Sequence, residues 1–168
     1  LQSGEGMIHT VVVTANDSNG NSSTCTVLLT GNDITPPIVT CEGPQTISLN
    51  SNCKLQVPNL TDGASATDNC MTSLNWSQNP AVGTLLSSGE NSTHTVTVTV
   101  NDGNGNSSTC TVLLTGNDIT PPQLTCEGSQ TIALNANCQL TVPNVIDGLS
   151  TVDNCSASFT WSQTPVSG

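Results

Sequence analysis

The chain has almost no aromatic residues: Trp76, Phe159 and Trp161 are the only three among 168, and tyrosine is absent. A core built without them must be small and aliphatic, and no platform of stacked rings for sugars is evident. Bases are scarcer still, with Lys54 alone facing twelve acids for a net charge of -11. A surface of that sign repels phosphate backbones, which excludes nucleic acid as a partner. No apolar run is long enough to span a bilayer, and the first residues carry neither an initiator Met nor a signal-peptide pattern. The expectation from this is a mature or excised piece. Helical periodicity is missing too. Ser and Thr make up about a quarter of the chain and Asn is abundant, a composition that resembles disorder. Its periodicity contradicts that.

The run NGNSSTCTVLLTGNDITPP occupies Asn19 to Pro37 and returns unchanged from Asn104 to Pro122. A shift of 85 residues brings nearly the whole chain into register. Cys25, Cys41, Cys53 and Cys70 fall on Cys110, Cys126, Cys138 and Cys155, His9 falls on His94, and Trp76 falls on Trp161. A fixed long period marks an array of equivalent modules. Counted from one GND junction to the next, residues 33–117 form a complete module. Residues 1–32 are then the last part of a module, and 118–168 the first part of a further one. Leu1 matches Leu86 and Gly168 matches Gly83, so two residues would rejoin the ends in phase. The expectation is head-to-tail continuity, the open module being completed by the next subunit or by continuing chain.

HTVTVTVND, from His94 to Asp102, alternates strictly, with Val96, Val98 and Val100 on one face and threonines on the other. That is the pattern of a half-buried strand. STCTVLLT, from Ser108 to Thr115, does the same with Cys110, Val112 and Leu114. The intervening NDGNGN is rich in residues that tolerate positive φ, so the pair reads as a hairpin. SLNWSQ places Leu74 and Trp76 inward and Asn75 outward, with Trp76 read as a core residue. Shorter strands are expected at 38–41, 45–49, 54–57 and 83–86. Many short strands in about 85 residues predict an all-β fold of antiparallel β-sandwiches, immunoglobulin-like and repeated in tandem.

GNDITPPIVTC, ATDNC and TVTVNDGNGNSSTC, in that order, resemble the hyalin repeat (HYR), an immunoglobulin-like extracellular module. The version here is similar to those strung together as tandem arrays in large secreted and surface proteins of bacteria. Two positions depart from the family pattern. Glu42 and Glu127 stand where proline commonly follows the first cysteine, and Val98 and Val112 stand where aromatics are frequent. The resemblance implies adhesion or extracellular scaffolding and carries no catalytic activity.

Four cysteines per module allow three pairings. None of them has the close Cys-x-x-Cys spacing of structural zinc sites. In an immunoglobulin-like sandwich the first and last strands start at the same pole, which would let Cys41 meet Cys110. Cys53 with Cys70 would then staple the irregular NLTDGASATDN, the alternative being Cys41–Cys53 with Cys70–Cys110. Loop entropy assigns roughly 4 kcal/mol to the long bridge and roughly 3 kcal/mol to the short one. By translation Cys138 would bond Cys155, and Cys126 of one unit would bond Cys25 of the next. Such bridges imply an oxidising compartment, outside the cell or at its surface.

Asp33 opens the module, Asp68 precedes a cysteine, and Asp102 sits in the hairpin turn. The module start and this hairpin share a pole in the expected fold, so calcium is the ion such oxygen ligands would take. NDGNGN lacks the bidentate Glu and the helices of an EF-hand, and shaping turns is the simpler role for these residues. No cofactor is required. Asn-x-Ser/Thr acceptors for N-linked sugar occur at Asn16, Asn21, Asn59, Asn75, Asn91, Asn106 and Asn154. His9 and His94 have no acidic or cysteine partners at triad-like spacing, and nothing resembles a nucleophile elbow, a phosphate loop or paired carboxylates, so no enzyme is expected.

The function expected is therefore the structural unit of an extracellular fibre or filament. Thr35–Pro37 and Thr120–Pro122 would hold neighbouring modules at a fixed spacing. The alternative is an adhesin stalk or glycan-binding module, disfavoured because the loops of the two copies differ little.

Overall fold

The valine–threonine alternation becomes strand in both copies. The computed structural model describes residues 3–71 and 73–168. It contains β1 (Ile8–Asn16), β2 (Ser22–Thr30), β3 (Ile38–Thr40), β4 (Gln45–Ser48), β5 (Lys54–Gln56) and β6 (Ser65–Thr67). Next come β7 (Asn75–Asn79), β8 (Leu85–Ser87), β9 (Thr93–Asn101), β10 (Ser107–Asn117), β11 (Gln123–Thr125) and β12 (Ser150–Val152). The protein is all-β and disulfide-stapled, with no helix among the described residues and none long and apolar enough to cross a membrane.

One sheet runs in the order β4-β10-β9-β7, and β1-β2, β3-β6, β5-β8 and β11-β12 form two-stranded sheets. The chain divides into two compact units. The first comprises Leu1–Gln45, Val57–Thr84 and Thr95–Leu113; the second comprises Thr46–Gln56, Leu85–His94 and Leu114–Gly168. Val57, Leu60, Val96, Val98, Val100 and Val112 are buried in the first, and Leu49, Leu55 and Leu114 in the second. Each such side chain contributes about 1.5–3 kcal/mol by leaving water. In β9 every valine is buried and no threonine is, as alternation requires. Trp76 lies opposite Val100 where β7 pairs with β9, with Asn75 exposed beside it. Gly103 and Gly105, at φ of 86° and 104°, make the turn into β10.

Strand β6 lies inside the segment read above as irregular. It pairs with β3 through Val39 opposite Ala66. Three residues with one small apolar side chain give no alternation to detect, so the pairing comes from β3 and not from local preference.

Cys41 and Cys110 are bridged, as expected, at a Cα separation of 5.8 Å. The expected Cys53–Cys70 and Cys138–Cys155 bridges do not form: Cys53 bonds Cys155, 102 residues away. Cys53 closes a turn in which its N–H donates to the Asn50 carbonyl at 2.9 Å, with φ at 53°. The Asn154 amide donates to that same carbonyl at 3.1 Å, which brings the turn before Cys155 against the Cys53 turn. Cys70 belongs to the other unit, beside Asp33. Cys25, Cys70, Cys126 and Cys138 are free and exposed.

Candidate functional site

The two copies of the β-hairpin share their sequence and differ in environment. In β9 and β10, Val96, Val98, Val112 and Leu114 are at most 1 % exposed. Their equivalents in β1 and β2, Val11, Val13, Val27 and Leu29, are 37–50 % exposed. No residue of 3–32 or 118–168 is buried. β1 pairs with β2 in full register, yet nothing among the described residues covers the apolar face they present.

The segment 118–168 shows the converse. The equivalents of β3 and β6 are present as β11 and β12, paired with each other. The equivalents of β4, β5 and β7, at 130–133, 139–141 and 160–164, form no strand. β4, β5 and β7 themselves pair with β10, β8 and β9. A short strand persists where its partner is present and lapses where the partner is not. The result is an open cleft of about 430 Å³ lined by Leu124, Phe159 and Trp161, with Asp118 and Asp153 on its wall. Trp161 remains 39 % exposed.

The four free thiols fit the same pattern. Cys138 sits in a turn built like that of Cys53: its N–H donates to the Asn135 carbonyl at 3.0 Å and its φ is 58°. Cys70 follows Asp68, whose Oδ1 accepts the N–H groups of Cys70 and Met71 at 2.9 and 2.8 Å. Cys155 follows Asp153, whose Oδ1 accepts from Cys155 and Ser156 at 2.8 and 2.7 Å. Cys138 and Cys70 are thus presented as Cys53 and Cys155 are, without each other. Desolvation and the charges of Asp33 and Asp68 push the Cys70 thiol up.

The carboxylates named from sequence, Asp33, Asp68 and Asp102, do converge, with one oxygen of each within 4.8 Å of the others. The Asn106 amide ties the turn to the module start, donating to the Asp33 carbonyl at 3.1 Å and to Asp102 Oδ2 at 2.6 Å. Asp102 Oδ1 also accepts the N–H groups of Asn104 and Asn106 at 2.8 and 3.0 Å. Desolvation pushes Asp102 up, but these bonds, the Asn106 side chain foremost, hold it below its ordinary value. The backbone N–H of Asp33 donates to Glu5, and that of Asp118 donates to the equivalent Glu90.

Asp17 occupies the Asp102 position in the bare hairpin and makes the same bonds, from Asn19, Asn21 and the Asn21 amide at 2.9, 2.8 and 2.7 Å. The Asn21 side chain, then its backbone N–H, hold the Asp17 carboxyl below the ordinary 3.8. A depressed folded value means a contribution that is complete above pH 3.8 and is lost as pH falls through the lower folded value. In an acid titration followed by NMR, the Asn19 and Asn21 amide resonances should therefore shift with a midpoint below 3.8.

Among the candidate sugar acceptors, Asn16, Asn59, Asn75 and Asn91 are exposed. The amide nitrogens of Asn21, Asn106 and Asn154 are engaged, donating to Asp17, to Asp33 and Asp102, and to Asn50. Nδ2 is the atom an N-linked sugar would take, so modification there would break these contacts. The Cys53–Cys155 bridge, missed above, has no signature in local spacing; the 85-residue register is the one signal that relates its ends to Cys138 and Cys70.

A family model, the HYR domain, matches residues 32–115, half of the chain. No curated protein matches the chain.

Proposed function

The chain belongs to the HYR domain family of extracellular immunoglobulin-like modules, and from that premise we propose that it is the repeating unit of an extracellular fibre assembled head-to-tail. The observation that carries this reading is that one hairpin sequence is buried in the complete repeat and bare in the other copy. In the complete repeat, residues 33–87 supply the strands that cover that hairpin. Residues 118–168 are their counterpart. The proposed occupant of the bare β1–β2 face is therefore a segment equivalent to 118–168, from a second copy or from continuing chain, and the strands that lapse at 130–133, 139–141 and 160–164 would regain partners by the same contact. Identical junctions around Pro36–Pro37 and Pro121–Pro122 make every step of the array alike.

The thiols make the joint covalent. Cys41–Cys110, translated by the repeat, becomes Cys126 of one copy with Cys25 of the next. Cys53–Cys155 becomes Cys138 of one copy with Cys70 of the next. All four free cysteines are used, and none is left over. Each bond forms by thiol–disulfide exchange: two thiols give up two protons and two electrons to an acceptor disulfide, which leaves as two thiols. Sugars on the exposed acceptors Asn16, Asn59, Asn75 and Asn91 would keep a nearly base-free surface hydrated along such a fibre.

The test uses a mixture of ordinary and ¹⁵N-labelled chains oxidised by a small-molecule disulfide, examined by electron microscopy, non-reducing gel and mass spectrometry. A ladder of covalent multimers is expected, with mixed-isotope peptides joining Cys126 to Cys25 and Cys138 to Cys70. A soluble monomer with all eight cysteines bridged within one chain overturns the proposal.

A further inference from the structure

We propose that Asp33, Asp68 and Asp102 form a calcium site at the start of the complete repeat, and that each joint between copies rebuilds it from Asp118 and Asp153 of one copy and Asp17 of the next. The second half rests on the assembly proposed above; the first half does not.

The three carboxylates offer oxygens within 4.8 Å of one another. Two ligands bound at about 2.4 Å on opposite sides of a calcium ion are separated by about that distance. Asp33 is only 6 % exposed; its Oδ1 accepts the Thr35 N–H at 3.1 Å, and its Oδ2 is buried with no hydrogen-bond partner among the described residues, the weakly donating Cys70 thiol lying beside the carboxyl. Asp68 is divided the same way: Oδ1 is taken by two backbone N–H groups, and Oδ2 is buried with no partner among the described residues. A buried anionic oxygen needs a donor or a cation, and neighbouring carboxylates repel unless something positive lies between them. One divalent ion meets both needs. The donors are all hard oxygens, three of the six to eight that calcium takes, with water to supply the rest.

The same ligands recur at the joint, each already set in its turn. Asp118 Oδ1 accepts the Thr120 N–H at 3.0 Å, as Asp33 does from Thr35. Asp153 keeps a buried Oδ2 with no hydrogen-bond partner among the described residues, as Asp68 does, and lines the same cleft as Asp118. Asp17 reproduces the bonds of Asp102. The third carboxylate thus comes from the bare hairpin and the other two from the open cleft, so the ion would clasp one copy to the next.

The first half is tested by equilibrium dialysis against calcium chloride, using the oxidised chain kept monomeric by Val13→Asp. One ion per chain is expected, with a dissociation constant of about 0.1–1 mM, the range of extracellular modules. Asp68→Asn should weaken it at least about tenfold with an unchanged circular dichroism spectrum, and Asp33→Asn, dialysed in parallel, guards against a folding defect in the first variant. Absence of uptake overturns the site. So does uptake that both variants retain, which is diffuse binding to an acidic surface. In wild-type filaments the stoichiometry should rise to two ions per copy and return to one in Asp17→Asn. Filaments that hold one ion per copy overturn the joint half alone. Chains that bind one ion and never polymerise overturn the assembly and leave the first half standing.

Discussion

Replacing Val98 with Asp should unfold the sheet β4-β10-β9-β7, while the equivalent Val13→Asp should leave it folded and stop the polymerisation proposed above. Val98 is fully buried at the centre of β9. A carboxylate there has no lysine or arginine to pair with, since Lys54 is the only such residue in the chain. An uncompensated buried charge costs about 3–5 kcal/mol, a large share of the stability of a domain this size. Val13 sits at the same register position in β1, opposite Cys25, and is 50 % exposed. Its substitution should therefore change the stability of the isolated chain by less than about 1 kcal/mol. In an assembled fibre Val13 would be as buried as Val98, and the penalty would fall on the joint. Urea unfolding of the dilute chain reads the first effect, and sedimentation velocity at rising concentration reads the second. Equal destabilisation by both substitutions in the monomer would show that the bare hairpin already has a cover.

The second large effect is expected from the Cys41–Cys110 bridge, which closes a loop of 69 residues' separation. Loop entropy gives it about 4 kcal/mol. The core it supports is aliphatic, with nine fully or nearly buried hydrophobic side chains among the described residues and no aromatic one. Such a core leaves little margin. The double variant C41A/C110A should lower the melting temperature by about 20 °C, measured by calorimetry under non-reducing conditions. Dithiothreitol should have a comparable effect on the wild type. A shift of only a few degrees would mean that the sheet order β4-β10-β9-β7 holds without the bridge.

Much of the site was legible before any coordinates. Asp33 and Asp102 could be placed at one pole because they mark the module start and the hairpin turn; the structure brings Asp68 to them, with one oxygen of each within 4.8 Å of the others. Strict alternation defines β9 and β10, and turn chemistry defines the loop between them, because side-chain period and positive φ are local properties. Cys41–Cys110 followed from where the expected strands begin. Other features were not legible. β6 carries three residues, with no pattern of its own. Cys53–Cys155 joins positions 102 apart, and nothing near either residue names the other.

The plainest division between sequence and structure lies in STCTVLLT, which occurs twice. Both copies are strands, since the alternation of eight residues and the turn before them suffice for a hairpin. Only in β10 are Val112 and Leu114 buried. Burial is a relation between a side chain and whatever displaces water from it, and no string of residues carries that relation within itself.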